Sequence, residues 1–104
     1  MSGPPPPPGP QPRDESLSRR RELASLLGPT RAAVLLIVAD RPGSTTNALA
    51  EGVGVSAATV SHHTTVLRRS GLITTRRSGG SVHHCLASLG EVLLRGVGEA
   101  GRNA

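Results

Sequence analysis

GVSAATVSHHTTVLRRSGL, residues 54–72, is the stretch that decides the predicted fold. Ser56 is of the type preferred at a helix N-cap, and Gly71 is well placed as the residue that follows a helix C-terminus. The residues between them, 57–70, are therefore predicted to form a helix. The stretch combines two adjacent histidines, six hydroxyl side chains and two arginines with no acid. This composition raises the question of what the pair His62–His63 does.

The two sides of this predicted helix differ in chemistry. At about 100° per residue, one side carries residues able to pack against neighbouring helices: Ala57, Val60, Thr64 and Leu67. The opposite side is small near its N-terminus and polar throughout: Ala58, His62, Thr65 and Arg69, flanked by Thr59, Ser61 and Arg68. His63 lies nearer the packed flank. Such a surface can enter the DNA major groove, where polar side chains reach base edges and arginines hold phosphates. The N-terminus capped by Ser56 adds partial positive charge and free amides for a phosphate.

The neighbouring segments extend this helix into a winged helix-turn-helix. A short helix is predicted over 46–52, capped by Ser44, Thr45 or Thr46 and followed by a tight turn over 52–55. After Gly71 the residue pattern changes from the helical period to a period of two, which is typical of strands. Two strands, LITTRR and SVHHCL, flank the glycine-centred tip 78–81. Arg76 and Arg77 lie on this hairpin, where a wing approaches phosphates or the minor groove.

Three further helices complete the predicted order α-α-α-α-β-β-α, a mainly α fold with a β wing. They span about 15–27, 29–40 and 88–97, and the second is apolar nearly all round, as expected of a buried central helix. Residues 1–13 are proline-rich and are predicted to be a disordered, extended tail. The winged helix domain is then 14–97, followed by a flexible tail over 98–104.

Composition points to a polyanionic partner. The chain of 104 residues has a formal charge of +5, and no acid occurs between Gly52 and Gly90, where four of its arginines lie. Nucleic acid is the first candidate for the partner and an anionic membrane the second, while a solvated basic face is the bland alternative. No apolar run approaches the ~20 residues that span a bilayer, so a soluble cytoplasmic protein is expected.

LGPTRAAVLLIV (27–38), VSAATVSHHTTVLRRSGLI (55–73) and the glycine-tipped hairpin together resemble the ArsR-type winged-helix transcriptional repressors. The resemblance spans about 22–95. Its most specific parts are the Pro-Thr-Arg opening of the second helix and the pattern V-S-x-x-T-V-S-H-H-x-x-x-L-R-x-x-G-L-I. It implies a homodimer that pairs through its first and last helices and binds a palindromic operator in double-stranded DNA.

The resemblance also implies a set of recognition-helix contacts: Ala57, Ala58, Thr59, Ser61 and His62. The chain departs from many members at Thr64-Thr65, where an apolar residue followed by a basic one is common. This departure bears on the packing at Thr64 and on one phosphate contact.

Neither metal-ligand set of the family is present. The third helix, TTNALAEGV, has no cysteine, and the last, SLGEVLLRGVGE, has no histidine. His62 and His63 are not an i, i+4 pair, and His83 and His84 point to opposite faces of a strand. His83 and Cys85 share a strand face and could contribute to a zinc or copper site, or the strand could simply have one packed and one wet side.

These observations favour a DNA-binding transcriptional regulator, more specifically a homodimeric repressor, with no cofactor. Enzymatic function is not expected, because residues 53–90 contain no acid to orient a histidine base and no phosphate-binding glycine loop is present. A winged-helix module that binds an acidic protein partner is the alternative from another class. A thiol- or metal-responsive regulator that uses Cys85, the single cysteine, is a further alternative.

Overall fold

Five helices and three short strands form the part of the chain that the computed structural model describes, residues 3–5 and 12–103. The elements in order are α1 (Pro12–Leu27), α2 (Pro29–Asp40), β1 (Ser44–Thr45), α3 (Thr46–Val53), α4 (Ala57–Arg69), β2 (Ile73–Ser78), β3 (Ser81–Leu86) and α5 (Ser88–Asn103). This is the predicted winged helix, mainly α, with one additional strand, β1.

Helix α2 is the centre of the core, as its apolar composition predicts. Its buried residues are Ala32, Val34, Leu35 and Val38. The larger cluster joins α2 to Leu49 of α3, to Val60 and Leu67 of α4, and to the start of β2. A smaller cluster joins Leu23 of α1 and Val97 of α5 to Ala32. Helix α2 therefore packs against α3 and α4 through the larger cluster and against α1 and α5 through the smaller one.

Local signals define the ends of α3 and α4. Thr45 caps α3, since its side chain accepts a hydrogen bond from the Ala48 amide at 3.1 Å. Gly54 ends α3 in the left-handed conformation at φ 80°, which glycine adopts without strain. At the end of α4, the Gly71 amide donates to the Arg68 carbonyl and the Leu72 amide to the Leu67 carbonyl, both about 3 Å long. This is the Schellman pattern, and it turns the chain sharply from α4 into β2.

The strands form a three-stranded antiparallel sheet in the order β1-β3-β2. Register pairs Thr74 with Cys85, Thr75 with His84 and Arg76 with His83. Strand β1 pairs Ser44 with His84 and Thr45 with His83. The prediction missed β1 because a strand of two residues has no periodicity to detect and forms only because β3 lies beside it.

The terminal helices are longer than predicted. Helix α1 begins at Pro12 rather than near Glu15, which is possible because proline is tolerated in a first helical turn. Helix α5 continues to Asn103, so the backbone of 98–103 is helical where the sequence predicts a flexible tail beyond Val97. No proline interrupts 88–103, and three glycines near its end weaken a helix without forbidding it.

Most of the proline-rich segment cannot be compared with its prediction. Residues 3–5 have no regular secondary structure, and residues 1–2 and 6–11 lie outside the described part, as does Ala104. The division of the chain into a domain and two tails stays a prediction.

Helix α5 approaches the start of β2 unusually closely at Gly90. A Cβ atom at this position would overlap the Leu72 carbonyl oxygen and the Leu86 side chain. Glycine is therefore required here for the close contact of helix and strand. Among the described helices, none is long and apolar enough to cross a membrane.

Candidate nucleic-acid interface

Helix α4 presents a small, polar surface along one side. Its buried residues are Val60, Thr64 and Leu67. The exposed positions are Ala57, Ala58, Ser61, His62, Arg68 and Arg69, with Ser56 exposed just before the helix and Thr59 and Thr65 half-buried. All nine of these positions were predicted as contact residues. Ala57 differs from the face analysis, which placed it on the packed side, because at the first helical residue the neighbouring helices no longer cover the surface.

The N-terminal turn of α4 keeps two backbone amides available. The Ser56 hydroxyl accepts from the Thr59 amide at 3.1 Å and donates to the Thr59 hydroxyl at 2.9 Å. The Ser56 carbonyl in turn accepts from the Val60 amide. The Ala57 and Ala58 amides have no acceptor within the helix, and their methyl side chains leave the approach open. This turn can therefore bind an anionic oxygen through its backbone.

The two threonines in the middle of α4 share one acceptor. The Thr64 and Thr65 hydroxyls donate to the Ser61 carbonyl at 3.2 and 2.7 Å. Thr64 is 5% exposed and its hydroxyl is thus satisfied inside the core. The Thr65 hydroxyl donates its one hydrogen to the Ser61 carbonyl, so it can only accept a hydrogen bond from another partner. That rules out a donated bond to a phosphate while this bond is kept.

The adjacent histidines of α4 have different surroundings. Their ring centroids are 5.4 Å apart with the planes at 60°. His62 is exposed, whereas His63 is half-buried. Burial lowers the pKa of His63, and the charges of Arg31 and His62 lower it further. Nδ1 of His63 and Nε of Arg31 are buried and without a hydrogen-bond partner. His63 therefore serves as a neutral boundary residue against α2, and His62 remains free to contact a partner.

The wing carries two exposed arginines on opposite faces. Arg76 pairs across the hairpin with His83 and Arg77 with Val82. Successive residues of a strand point to opposite sides, so the two guanidinium groups cannot converge on one small anion. Gly79, with φ 62°, forms the two-residue tip with Gly80. The arrangement allows the hairpin to reach two separate anionic groups.

His84 connects the wing to the helix-turn-helix, and sequence reasoning missed this role. It is 2% exposed. Its Nε2 hydrogen-bonds with the Thr46 hydroxyl at 3.0 Å and its Nδ1 with the Thr75 hydroxyl at 3.0 Å. Burial lowers the pKa of His84, with smaller contributions from His83 and Arg68. The prediction that His83 and His84 face opposite ways was the only available signal, because Thr46 lies 38 residues away in sequence.

His83 and its neighbours add a second link to the same loop. The His83 Nδ1–H donates to the Gly43 carbonyl at 3.0 Å. The Gly43 amide donates to the His84 carbonyl at 2.9 Å. These bonds fix the segment that leads from α2 into α3 against β3.

Cys85 is a free, half-buried thiol. It lies across from Thr74, on the strand face that it shares with His83. Within residues 3–5 and 12–103, no group of three or more His, Cys, Asp or Glu side chains could hold a metal ion. His83 and Cys85 would thus supply at most two ligands, fewer than the four of a structural zinc site. A thiol-based role of Cys85 stays a prediction.

Comparison with known proteins agrees with this geometry. A family model described as a helix-turn-helix domain matches residues 26–76, from the end of α1 into β2. No curated protein sequence matches the chain.

Solved structures share the fold. A possible transcriptional regulator for arsenical resistance is 28% identical, with a TM-score of 0.62 over 79% of this chain and 82% of the other. The PcaV transcriptional regulator from Streptomyces coelicolor, in complex with its natural ligand, is 26% identical, with a TM-score of 0.62 over 84% of this chain and 72% of the other. The transcriptional regulator Tm0710 from Thermotoga maritima is 19% identical, with a TM-score of 0.71 over 86% and 65%. At that identity the likeness shows the fold alone.

The chain spans about two thirds of the length of several solved structures that share the fold, including 65% of the Thermotoga protein. It contains the helix-turn-helix and the wing that these winged-helix regulators share.

Proposed function

We propose that the chain is a DNA-binding transcriptional regulator that inserts α4 into the major groove. The observation that carries this proposal is the exposed side of α4, which is small at its N-terminus, polar in its middle and basic at its C-terminus. A protein-binding surface would expose large apolar side chains. In the described residues such side chains lie on α1 and α5, none of them on α4.

The contacts divide between bases and backbone. Ser61 and His62, which are exposed in the first two turns of α4, are assigned to base edges. The amides of Ala57 and Ala58, with the Ser56–Thr59 pair behind them, receive one phosphate. Thr65 accepts from a base amino group. Arg68 and Arg69 at the end of α4, and Arg76 and Arg77 on the wing, bind phosphates.

Two copies of the chain bind one palindromic operator and act as a repressor. The ArsR-type resemblance of 27–38 and 55–73 supports both parts of this statement. The 28%-identical neighbour, a possible transcriptional regulator for arsenical resistance, adds to that support. The lack of that family's metal ligands on the third and last helices means that any inducer is of a different kind.

The first and last helices supply the dimer contact. Leu17 and Leu26 of α1 are 49% and 65% exposed, and Leu89 and Val92 of α5 are 53% and 55% exposed. Helices α1 and α5 pack together, and their large apolar side chains are exposed to solvent. Such a surface is suited to pack against a second copy of the chain. A core built without aromatic residues also gains from such an association.

Selection of bound sequences from a random pool of double-stranded DNA tests the function directly. A palindromic consensus is expected. Ala58→Glu places an acid against the phosphates and should abolish enrichment, whereas Ala58→Gln, of the same size without the charge, should retain much of it. Failure of the unaltered protein to enrich any sequence, or equal behaviour of the two variants, would contradict the assignment of α4.

Sedimentation at micromolar concentration tests the dimer. Leu26→Asp should shift the protein to monomers, since it buries a charge in the contact. Ser25→Asp is the matched control, because it places the same charge on the neighbouring exposed residue of α1. A monomeric unaltered protein, or a dimer indifferent to Leu26→Asp, argues against pairing through α1.

A further inference from the structure

One buried side chain joins three elements that are far apart in sequence. His84, on β3, hydrogen-bonds with the hydroxyl of Thr46, the first residue of α3, and with that of Thr75 on β2. Both ring nitrogens are used, each at 3.0 Å. The imidazole thus bridges the start of the helix-turn-helix and the root of the wing.

Apart from the bonds between Gly43 and β3, few contacts in the described residues fix the wing at this level. From Thr74 to Ser81 every residue is exposed, so the outer hairpin packs against nothing. Strand β1, the only other neighbour of β3, is two residues long. A buried polar group that loses its hydrogen-bond partner destabilises the folded state. The bridge is therefore a specific restraint on how the hairpin leaves the body of the protein.

We propose that His84 is a positioning residue for DNA binding: through Thr75 and Thr46 it sets the direction of the wing relative to α4, and so places Arg76 and Arg77 at the phosphates. This inference rests on the proposed function, since it assigns a role to a residue that cannot itself touch DNA.

The charge state of the ring gives the bridge a pH dependence. His84 is buried, His83 precedes it on β3, and Arg68 faces it from α4. All three factors lower the pKa of His84 and favour the neutral ring. A neutral imidazole has one N–H and one acceptor nitrogen, and a threonine hydroxyl can serve either. A proton added at low pH would place a charge on the buried ring, close to the charges of His83 and Arg68. The cost of that buried charge favours states in which the ring leaves its site. The wing is therefore expected to loosen as the pH falls.

A matched pair of variants isolates the bridge. Thr75→Val removes the hydroxyl bonded to His84, and Thr74→Val removes a neighbouring hydroxyl on the opposite face of the same strand. Valine keeps the β-branched shape that strands favour. Thr75→Val is expected to weaken DNA binding by about two- to tenfold, the worth of one hydrogen bond, and to flatten the salt dependence. Thr74→Val should change neither.

The arginines on the wing separate positioning from general support. In a chain that also carries Arg76→Ala and Arg77→Ala, Thr75→Val should have no further effect on affinity, because the groups it positions are gone. A loss of the same size in both backgrounds would mean that the bridge supports the fold in general, and would overturn the proposal.

A measurement without DNA keeps this inference separate from the proposed function. Relaxation of ¹⁵N in the backbone amides of residues 76–82 should show greater mobility in Thr75→Val than in Thr74→Val. Mobility in the unaltered chain should increase as the pH is lowered step by step from above the ordinary histidine pKa to well below it, because burial lowers the pKa of His84. Glutamine offers a donor and an acceptor but does not titrate. In the His84→Gln variant, residues 76–82 should therefore stay ordered at low pH, and their mobility should not depend on pH.

The two failures are distinguishable. If the unaltered protein binds no DNA but its wing responds to Thr75→Val and pH as stated, the proposed function is wrong and the structural role of His84 stands. If it binds DNA while Thr75→Val and Thr74→Val behave alike, His84 does not position the wing.

Discussion

Helix α4 and the wing present their exposed side chains on supports of different kinds. Helix α4 is fixed along its length: Ser56 caps one end, the Gly71 turn closes the other, and Val60 and Leu67 anchor the middle in the core. Within the described residues, the hairpin is fixed at its root by β1, by His84 and by the bond of His83 to the Gly43 carbonyl. Rigid support suits a surface that must match base edges, whereas phosphates tolerate a looser one.

The difference also separates stability from binding. Removing a side chain from the buried side of α4 should lower the free energy of unfolding, while removing one from the outer wing should change binding with little effect on stability. The following substitutions test this contrast, from the largest expected effect to the smallest.

Leu67→Ala should give the largest loss. Leu67 is 1% exposed within the main core cluster, and such truncations cost about 2–5 kcal/mol of the free energy of unfolding. Urea unfolding followed by circular dichroism measures it, since the chain has no tyrosine or tryptophan to follow. Val66→Ala, next along the helix and half-buried, should cost clearly less. Equal losses would mean that the anchoring of α4 is misassigned.

His62→Ala should weaken binding to the selected operator by about 1–3 kcal/mol if His62 contacts a base edge. Its effect on unrelated DNA should be small, because non-specific binding depends on phosphates. Gel-shift titration against both DNAs measures the two. His63→Ala should reduce the preference for the operator over unrelated DNA less than His62→Ala does, since His63 packs toward α2. Unchanged operator affinity in the His62 variant would remove it from the set of base contacts.

Arg76→Ala and Arg77→Ala should weaken binding to all sequences alike. Each phosphate contact contributes about 0.9 to the slope of log affinity against log salt. Because the two side chains lie on opposite faces of the hairpin, their losses should add. Titrations at several salt concentrations with both single variants and the double variant check this. A double variant no worse than either single one would place both arginines on one phosphate.

Ser56→Ala should lower the free energy of unfolding by about 1 kcal/mol, the usual worth of an N-cap. Ser70→Ala is its counterpart, since that hydroxyl donates to the Val66 carbonyl at the other end of the helix at 2.8 Å. That bond satisfies a carbonyl already used within the helix, so its loss should cost less. A greater loss from Ser70→Ala in urea unfolding would contradict the importance of the N-cap.

Stability should fall slightly as the pH drops below the ordinary histidine value of 6.5. Burial lowers the pKa of His63 and of His84, so in that range the unfolded chain binds more protons than the folded one. Stability is complete above 6.5 and declines until each folded pKa is reached. The urea concentration at the unfolding midpoint of the unaltered chain should be lower at about pH 5.5 than at about pH 7.5, one unit either side of that value. The midpoint of the chain with His63→Gln and His84→Gln should decrease less.

The sequence predicts the elements whose signals are local. The cap at Ser56, the glycine at 71 and the spacing of Val60, Thr64 and Leu67 predict α4 and its buried side, and each was confirmed. The hydroxyl of the buried Thr64 is accommodated by its bond to the Ser61 carbonyl, a partner three residues away.

Features that depend on distant partners were not predictable. Strand β1 exists only through β3, and the role of His84 depends on Thr46 and Thr75, which one strand register and one loop bring together. The ends of α1 and α5 were missed for another reason, because proline in a first turn and scattered glycines permit a helix without indicating one.

The contact at Gly90 has a mechanical consequence. With no Cβ between them, the first turn of α5 rests directly on the backbone at Leu72, one residue before the wing begins. Because no space separates the first turn of α5 from the backbone at Leu72, α5 cannot shift toward β2 without displacing that backbone. A movement of α5 at Gly90 is therefore expected to change the direction in which the wing leaves the body of the protein.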